Sequence, residues 1–200
     1  MKFPDSFISA GYEFADMEHF VSAPFFRKKF TVEKTEKAEV IIGVAGFYKL
    51  FLNGKEITKG ELAPYINNTD DMVYYDRYDV ADCLAEGENV VAVLLGNGFQ
   101  NNSGGNAWSF DKAPFRSAPK FAMSISIADK DGNETLIESD ESFKVCDSPI
   151  LFDDYRQGEY YDARLEIPDF HFADFDDSDF KNAIKVKSPR GEKRLCTADP

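Results

Sequence analysis

Asn89-Val90-Val91-Ala92-Val93-Leu94-Leu95, closed by Gly96-Asn97-Gly98, is the stretch that decides the fold. Its apolar run is far shorter than the roughly 20 residues a membrane span needs. Bounded by turn residues and rich in β-branched side chains, it reads as a central strand buried on both faces. Such a strand needs partners at both edges, and the flanking sequence supplies them. Upstream lie Phe25-Phe26-Arg27-Lys28-Lys29-Phe30-Thr31-Val32 and Ala38-Glu39-Val40-Ile41-Ile42-Gly43-Val44. Tyr48-Lys49-Leu50-Phe51-Leu52 follows and runs into Asn53-Gly54, with Glu56-Ile57 straight after. Asn-Gly between apolar runs predicts a type I′ hairpin, because both central residues of that turn need positive φ.

Val73-Tyr74-Tyr75-Asp76-Arg77-Tyr78 alternates in the same fashion, and Asp79-Val80-Ala81-Asp82-Cys83-Leu84 predicts one helical turn. Asp79 is its expected N-cap, with Gly87 beyond its end. Downstream, Ala122-Met123-Ser124-Ile125-Ser126-Ile127-Ala128 alternates cleanly, Asp131-Gly132 turns the chain into Thr135-Leu136-Ile137, and Ser142-Phe143-Lys144-Val145 adds a further strand. The period is two throughout, with no long amphipathic helix. The expected fold class is all-β, an antiparallel sandwich. Residues 97–120 and 147–164 read as long irregular segments, and loops of that size inside a domain are usually functional. From Pro168 the composition shifts to aspartates alternating with aromatics. The expected organisation is a lead-in over 1–24, the sandwich over 25–167, and a C-terminal extension over 168–200 that packs on the sandwich or leads to a further domain.

With 200 residues and 43% hydrophobic content the chain can bury a sizeable core. Its 36 acids against 23 Lys and Arg leave a net charge of −13. That charge argues against nucleic acid and anionic membranes as partners, while neutral sugars meet no such barrier. Residues 1–20 mix charges among their aromatics and contain no signal-peptide apolar region. Three widely spaced cysteines, Cys83, Cys146 and Cys196, suggest neither a disulfide framework nor a metal motif. The expected location is the cytoplasm.

The two histidines, His19 and His171, sit in no nucleophile or metal motif, and no GxSxG, HExxH or Walker loop occurs. Glycoside hydrolysis needs a pair of carboxylates, but among so many acids no pair stands out. Sugar binding has more support. The only tryptophan, Trp108, lies in an Asn/Gly-rich stretch with Asn97, Asn101, Asn102 and Asn106. An indole face stacks on a pyranose ring while amides bond its hydroxyls. The plainer reading of the same residues is a plug at the end of the sandwich with asparagines setting turn geometry. Tyr65, Asn67 and Asn68 offer a second loop of this kind. Asp70-Asp71 and Asp153-Asp154 carry oxygens of the type calcium takes, without EF-hand spacing; solvated or capping acids are the plainer reading. Glu159, Asp162 and Arg164 are expected to form a clamp at a strand edge.

Several segments together resemble the N-terminal domain of bacterial α-L-rhamnosidases. They are Phe25-Phe26-Arg27-Lys28-Lys29-Phe30, Gly46-Phe47-Tyr48-Lys49-Leu50-Phe51-Leu52-Asn53-Gly54, Tyr78-Asp79-Val80 with Gly87-Glu88-Asn89-Val90, and Leu95-Gly96-Asn97-Gly98. Gly158-Glu159-Tyr160-Tyr161-Asp162-Ala163-Arg164 is the most specific match, and residues 175–183 are similar to that family's closing segment, with Phe180 where Trp is common. The resemblance covers residues 7–200 in order. It implies a jelly-roll β-sandwich of the galactose-binding-like type and a non-catalytic accessory role in a glycoside hydrolase. The inverting hydrolysis of α-L-rhamnosyl bonds would belong to an (α/α)₆ barrel on further, downstream domains of the polypeptide. Some relatives of the domain are calcium-assisted rhamnose-binding modules, so L-rhamnose-containing glycans and calcium are the implied ligands. The sequence departs from the family at Phe99, where Trp or Tyr is usual, and over residues 100–109. Tyr78-Asp79-Val80 with Gly87-Glu88-Asn89-Val90 is also shared with sugar-binding domains of β-galactosidase-like enzymes. Two other readings compete: a purely structural interdomain scaffold, in which Phe170, Phe172, Phe175 and Phe180 are exposed to a neighbouring domain, and a complete small glycosidase.

Overall fold

The structure, a computed structural model, describes residues 2–4, 6–16, 18–102 and 109–197. Its strands, in chain order, are β1 (Ile8–Ser9), β2 (Pro24–Val32), β3 (Lys37–Ala45), β4 (Phe47–Leu52), β5 (Lys55–Glu56), β6 (Met72–Asp79), β7 (Gly87–Gly96) and β8 (Lys120–Ala128). They continue with β9 (Glu134–Glu138), β10 (Lys144–Asp147), β11 (Ile150–Asp154), β12 (Gly158–Tyr161), β13 (Lys181–Asn182), β14 (Ile184–Lys185) and β15 (Glu192–Leu195).

One sheet runs β14-β1-β8-β3-β6-β15, with β9 sharing an edge of β8 with β1. The other runs β13-β10-β2-β7-β4-β5, and β11 and β12 form a separate hairpin. The two large sheets face each other as a jelly-roll β-sandwich. Val40, Ile42, Val44, Met123 and Ile125 from one sheet meet Phe26, Leu50, Leu52, Val91, Val93 and Leu95 from the other in a single buried cluster. The T-shaped contacts of Phe121 with Phe26 (5.1 Å) and Phe143 (5.6 Å) bridge the layers. Burying each such side chain is worth about 1.5–3 kcal/mol.

The hairpin at Asn53-Gly54 has positive φ at both residues, 49° and 82°, as the type I′ turn requires. The expected helical turn is a 3-10 turn over Ala81–Cys83 whose N-cap position is Val80. Asp79 sits one residue too early to cap it and instead accepts from the Ala81 amide at 3.1 Å.

β7 is buried on both faces because a third layer covers it. Val91, Val93 and Leu95 point into the sandwich, while Val90 and Ala92 point outward and are also buried. On that outer face Arg27 of β2 lies opposite Ala92. Its guanidinium donates to the carbonyls of Phe170 (3.1 Å), Phe172 (2.7 Å) and Phe175 (3.3 Å) and pairs with Asp177. Phe170 packs on Phe25 (4.4 Å) and His171 stacks on Phe51 (4.1 Å). The aromatic C-terminal segment is thus drawn onto its own sheet. Phe170 is 1% exposed, contrary to the expectation of a fully exposed aromatic row; Phe175 and Phe180 are half-buried, and of the four Phe172 alone is exposed, at 46%. Beyond it, β13 pairs β10, β14 pairs β1, and β15 joins β6 in parallel.

Candidate functional site

Strand alternation turns Phe47 and Lys49 of β4 away from the core, and the register sets them beside Gly96 and Leu94 of β7. These four residues floor an open cleft of ≈ 560 Å³. Ile150, Asp153, Tyr155, Glu159 and Tyr161, on or beside the β11–β12 hairpin, form one wall; Glu61 and Leu62 form the other. The second wall is tied to β4 by the Tyr48 amide, which donates to the Ala63 carbonyl at 2.9 Å.

Charge and apolar surface alternate around this cleft. Lys49 lies 3.0 Å from Glu61 and 3.3 Å from Glu56. The hydrogen bond that its ammonium donates to Glu61 holds Lys49 above its ordinary pKa. The Tyr161 hydroxyl donates to Glu166 at 2.8 Å, leaving the ring, half exposed, at the rim. Asp153 sits at the base of the hairpin wall. Burial pushes its carboxyl up to about 6, against the opposing effect of its bonds from Asn97, with Glu159 and Asp154 adding repulsion. Gly96 makes room for it: a Cβ there would lie 3.1 Å from Asp153 Oδ2.

The asparagines proposed for sugar contact lie behind this wall, not on its surface. Asn97 is 3% and Asn101 1% exposed. The Asn97 amide donates to Asp153 Oδ2 (2.6 Å) and its Nδ2 to Oδ1 (2.7 Å), so both carboxylate oxygens are engaged. Asn101 Nδ2 donates to Asn97 Oδ1 at 2.9 Å, and Asn102 Nδ2 to Asp154 Oδ2 at 2.9 Å. Buried amides of this kind are held by internal partners. Asn97 and Asn101 are therefore braces that fix the hairpin wall. Trp108 and Asn106 lie outside the described residues.

The four aspartates proposed for calcium do not come together. Asp154 Oδ1 accepts from the amides of Arg156 (2.8 Å) and Gln157 (3.1 Å), closing the hairpin turn. Asp70 pairs with Arg190 at 2.5 Å, and Asp71 accepts from Asn68 Nδ2 at 2.9 Å. Among the described residues no three metal-ligating side chains converge. Calcium needs about six to eight oxygens, and these carboxylates are committed to N–H donors, so the described residues do not fit it. Asn67 bonds the Met72 carbonyl and Asn68 Oδ1 accepts from the Asp70 amide, so the second polar loop is also a braced turn. The clamp expected at the strand edge is narrower than predicted. Arg164 grips Asp162 through two bonds of 2.8 and 2.6 Å, while Glu159 lines the cleft.

Phe47, Lys49, Glu61 and Leu62 were not singled out by sequence. The signal was available in the outward half of the β4 alternation, but nothing local says that a hairpin a hundred residues later closes over it.

The description "Alpha-L-rhamnosidase N-terminal domain" fits residues 33–200 as a family model. An α-L-rhamnosidase of Formosa agariphila is 36% identical over 160 residues, 78% of this chain and 17% of that protein. The structure of an α-L-rhamnosidase from Dictyoglomus thermophilum superposes with a TM-score of 0.83 at 30% identity, covering 96% of this chain and 22% of that one. The Streptomyces avermitilis α-L-rhamnosidase, solved in complex with L-rhamnose, gives 0.78 at 24% identity, over 86% of this chain and 17% of that one. The chain spans only 14–18% of the length of the curated relatives it matches.

Proposed function

Because the chain belongs to the α-L-rhamnosidase N-terminal-domain family, we propose that it is the non-catalytic accessory domain of such an enzyme, supporting the catalytic domain and contacting rhamnose-containing glycan in the cleft beside the β11–β12 hairpin. The observation that carries the reading is the family match over residues 33–200, within relatives of which this chain covers only 17% and 22%. The cleft supports the glycan part. Tyr155, Tyr161 and Leu62 offer apolar faces to sugar C–H surfaces, and Glu61, Glu159 and Lys49 offer acceptors and a donor for hydroxyls. Asp153 supports the non-catalytic part, because Asn97 holds both its oxygens as acceptors.

Calorimetric titration of this chain with L-rhamnose, with and without calcium, tests the glycan contact. Saturable binding is expected, weakened at least about tenfold by Tyr161→Ala through the loss of a stacking face. A flat titration into the millimolar range in both buffers would leave the structural role alone. Release of an aryl leaving group from an aryl α-L-rhamnoside by the isolated chain would overturn the non-catalytic assignment.

A further inference from the structure

β11 and β12 form a two-stranded sheet of their own, so the hairpin that walls the cleft is held by what its side chains touch. A two-stranded hairpin is marginal in water unless it packs on something. Its back packs through Phe152, which takes Phe20 edge-on at 4.8 Å and Tyr160 at 5.4 Å. Its front is tied to the end of β7 by the two bonds from Asn97 to Asp153. The register sets Glu159 directly opposite Asp153, so both carboxyls project from one face of the hairpin, and both line the cleft. We propose that this pair makes the wall a proton-operated clasp: one proton on Asp153 tightens the hairpin against β7, and its loss loosens the hairpin.

The conflict is built into the register, because like charges directly opposite on a sheet face repel. Asp153 cannot turn away from it while the hairpin is closed. Asn97 fixes both its oxygens, Asn101 holds Asn97 at 2.9 Å, and the Gly96 backbone crowds Oδ2. Asp154 adds a second like charge beside it in β11, with its own oxygens on Asn102 and on the turn amides of Arg156 and Gln157. The cations around the cleft are engaged elsewhere. Lys49 on the floor pairs with Glu56 and with Glu61 of the far wall, and the Arg156 guanidinium lies over the rings of Phe110 and Tyr155.

Opening the hairpin returns the Asp153 carboxyl to water and to its ordinary value of 3.8; in the closed hairpin burial first, and then Glu159 and Asp154, raise it to about 6 against the bonds from Asn97. The closed form therefore binds more protons between those two values. The stabilisation from that proton is complete below the open value and is lost as pH rises through the closed one. Tyr155, Tyr161 and Glu159 stand on or beside this hairpin, so a glycan in the cleft would meet a wall whose order depends on one proton. That consequence rests on the glycan reading of the cleft; the clasp does not, and its test needs no ligand.

The test is amide hydrogen exchange of the whole chain at about pH 7 and about pH 5, corrected for intrinsic rates, with the Asp153 carboxyl carbon resonance followed over the same range. The Ala23 and Asp162 amides bond the carbonyls of Ile150 and Pro149 at the base of the hairpin, and the Ile57 amide, bonded to the Leu50 carbonyl, is the reference. Protection of the first two relative to Ile57 should rise about tenfold at the lower pH, the ratio expected of one proton bound at about 6 instead of 3.8. The rise should vanish in Asp153→Asn and shrink at least about twofold in Glu159→Gln, which loses one repelling charge. It should persist in Glu134→Gln, which alters an exposed acid of β9. Equal protection at both pH values, a rise that survives both hairpin variants, or an Asp153 midpoint at its ordinary 3.8 would overturn the clasp. Glu159 is exposed, so its variant reads the pair even if Asp153→Asn fails to fold. A flat L-rhamnose titration beside a tenfold rise in protection would remove the glycan reading and leave the clasp standing.

Discussion

Replacing Arg27 by Met should release the C-terminal aromatic layer from the sandwich. Met keeps the apolar stem beneath Phe170 and Phe175, over whose rings the guanidinium carbon lies at 5.9 and 5.2 Å. It removes the donors to three backbone carbonyls and to Asp177. Arg27 is 0% exposed, while the Asp177 side chain keeps 18%. Truncating one partner of a buried ion pair costs about 3–5 kcal/mol, and the partial hydration of Asp177 places this case near 3 kcal/mol. For a domain of this size that lowers Tm by roughly 6–12 °C. Arg27→Lys should recover only part of the loss, because one ammonium cannot reach the forked set of acceptors. Urea titration gives the free energy, and hydrogen exchange at the Phe172 and Phe175 amides, which bond the carbonyls of Asp169 and Phe172, shows where it is lost. A change below about 1 kcal/mol, with exchange in residues 168–182 unaltered, would refute the clasp and leave the contacts of Phe170 with Phe25 and His171 with Phe51 as sufficient.

Gly54→Ala should cost about 1–3 kcal/mol in urea titration, since φ is +82° and the new methyl would meet the Phe172 ring. His171 is held below its ordinary 6.5 by burial and then by Arg27. The unfolded chain therefore binds more protons, and its contribution is complete above about pH 6.5 and lost as pH falls through the folded value. His171→Phe, which preserves a ring on Phe51, should flatten the stability profile between about pH 5 and 7. Asn97→Ala removes the donor to Asp153 Oδ1. The Asp153 carboxyl should then titrate above its present value of about 6, as read from its carboxyl carbon resonance; an unchanged or lower value would show that Asn97 does not stabilise the anion.

Local signals fixed much of the sandwich. The β7 run, the Asn53-Gly54 turn and the alternation of β8 each name their own geometry, because a buried strand must be apolar and a type I′ turn must tolerate positive φ. The elements that sequence reading missed carry no such mark. β12 is exposed along its whole length, and β11 is acidic and irregular between Ile150 and Phe152, so the segment expected as a loop shows little apolar alternation. The β15 residues Glu192, Lys193, Arg194 and Leu195 pair in parallel with a strand about 120 residues earlier, on the sheet edge, where polar residues are the rule. In sequence Arg27 is one charge within an otherwise ordinary strand; only the third layer makes it a hub.

The site was harder to read because residue type does not say which way a side chain faces. Asparagines beside a tryptophan fit a sugar loop by chemistry, yet Asn97 and Asn101 satisfy Asp153 and each other. Net charge misleads in a related way. Beyond a Debye length, about 8 Å at physiological salt, a surface is felt as its sum, and the sum here repels polyanions. Within that length a ligand feels mainly the charges nearest to it, whatever the sum over the chain. The exclusion drawn from −13 therefore holds for extended polyanions and does not reach a single oxyanion, whose field of contact is smaller than the screening distance.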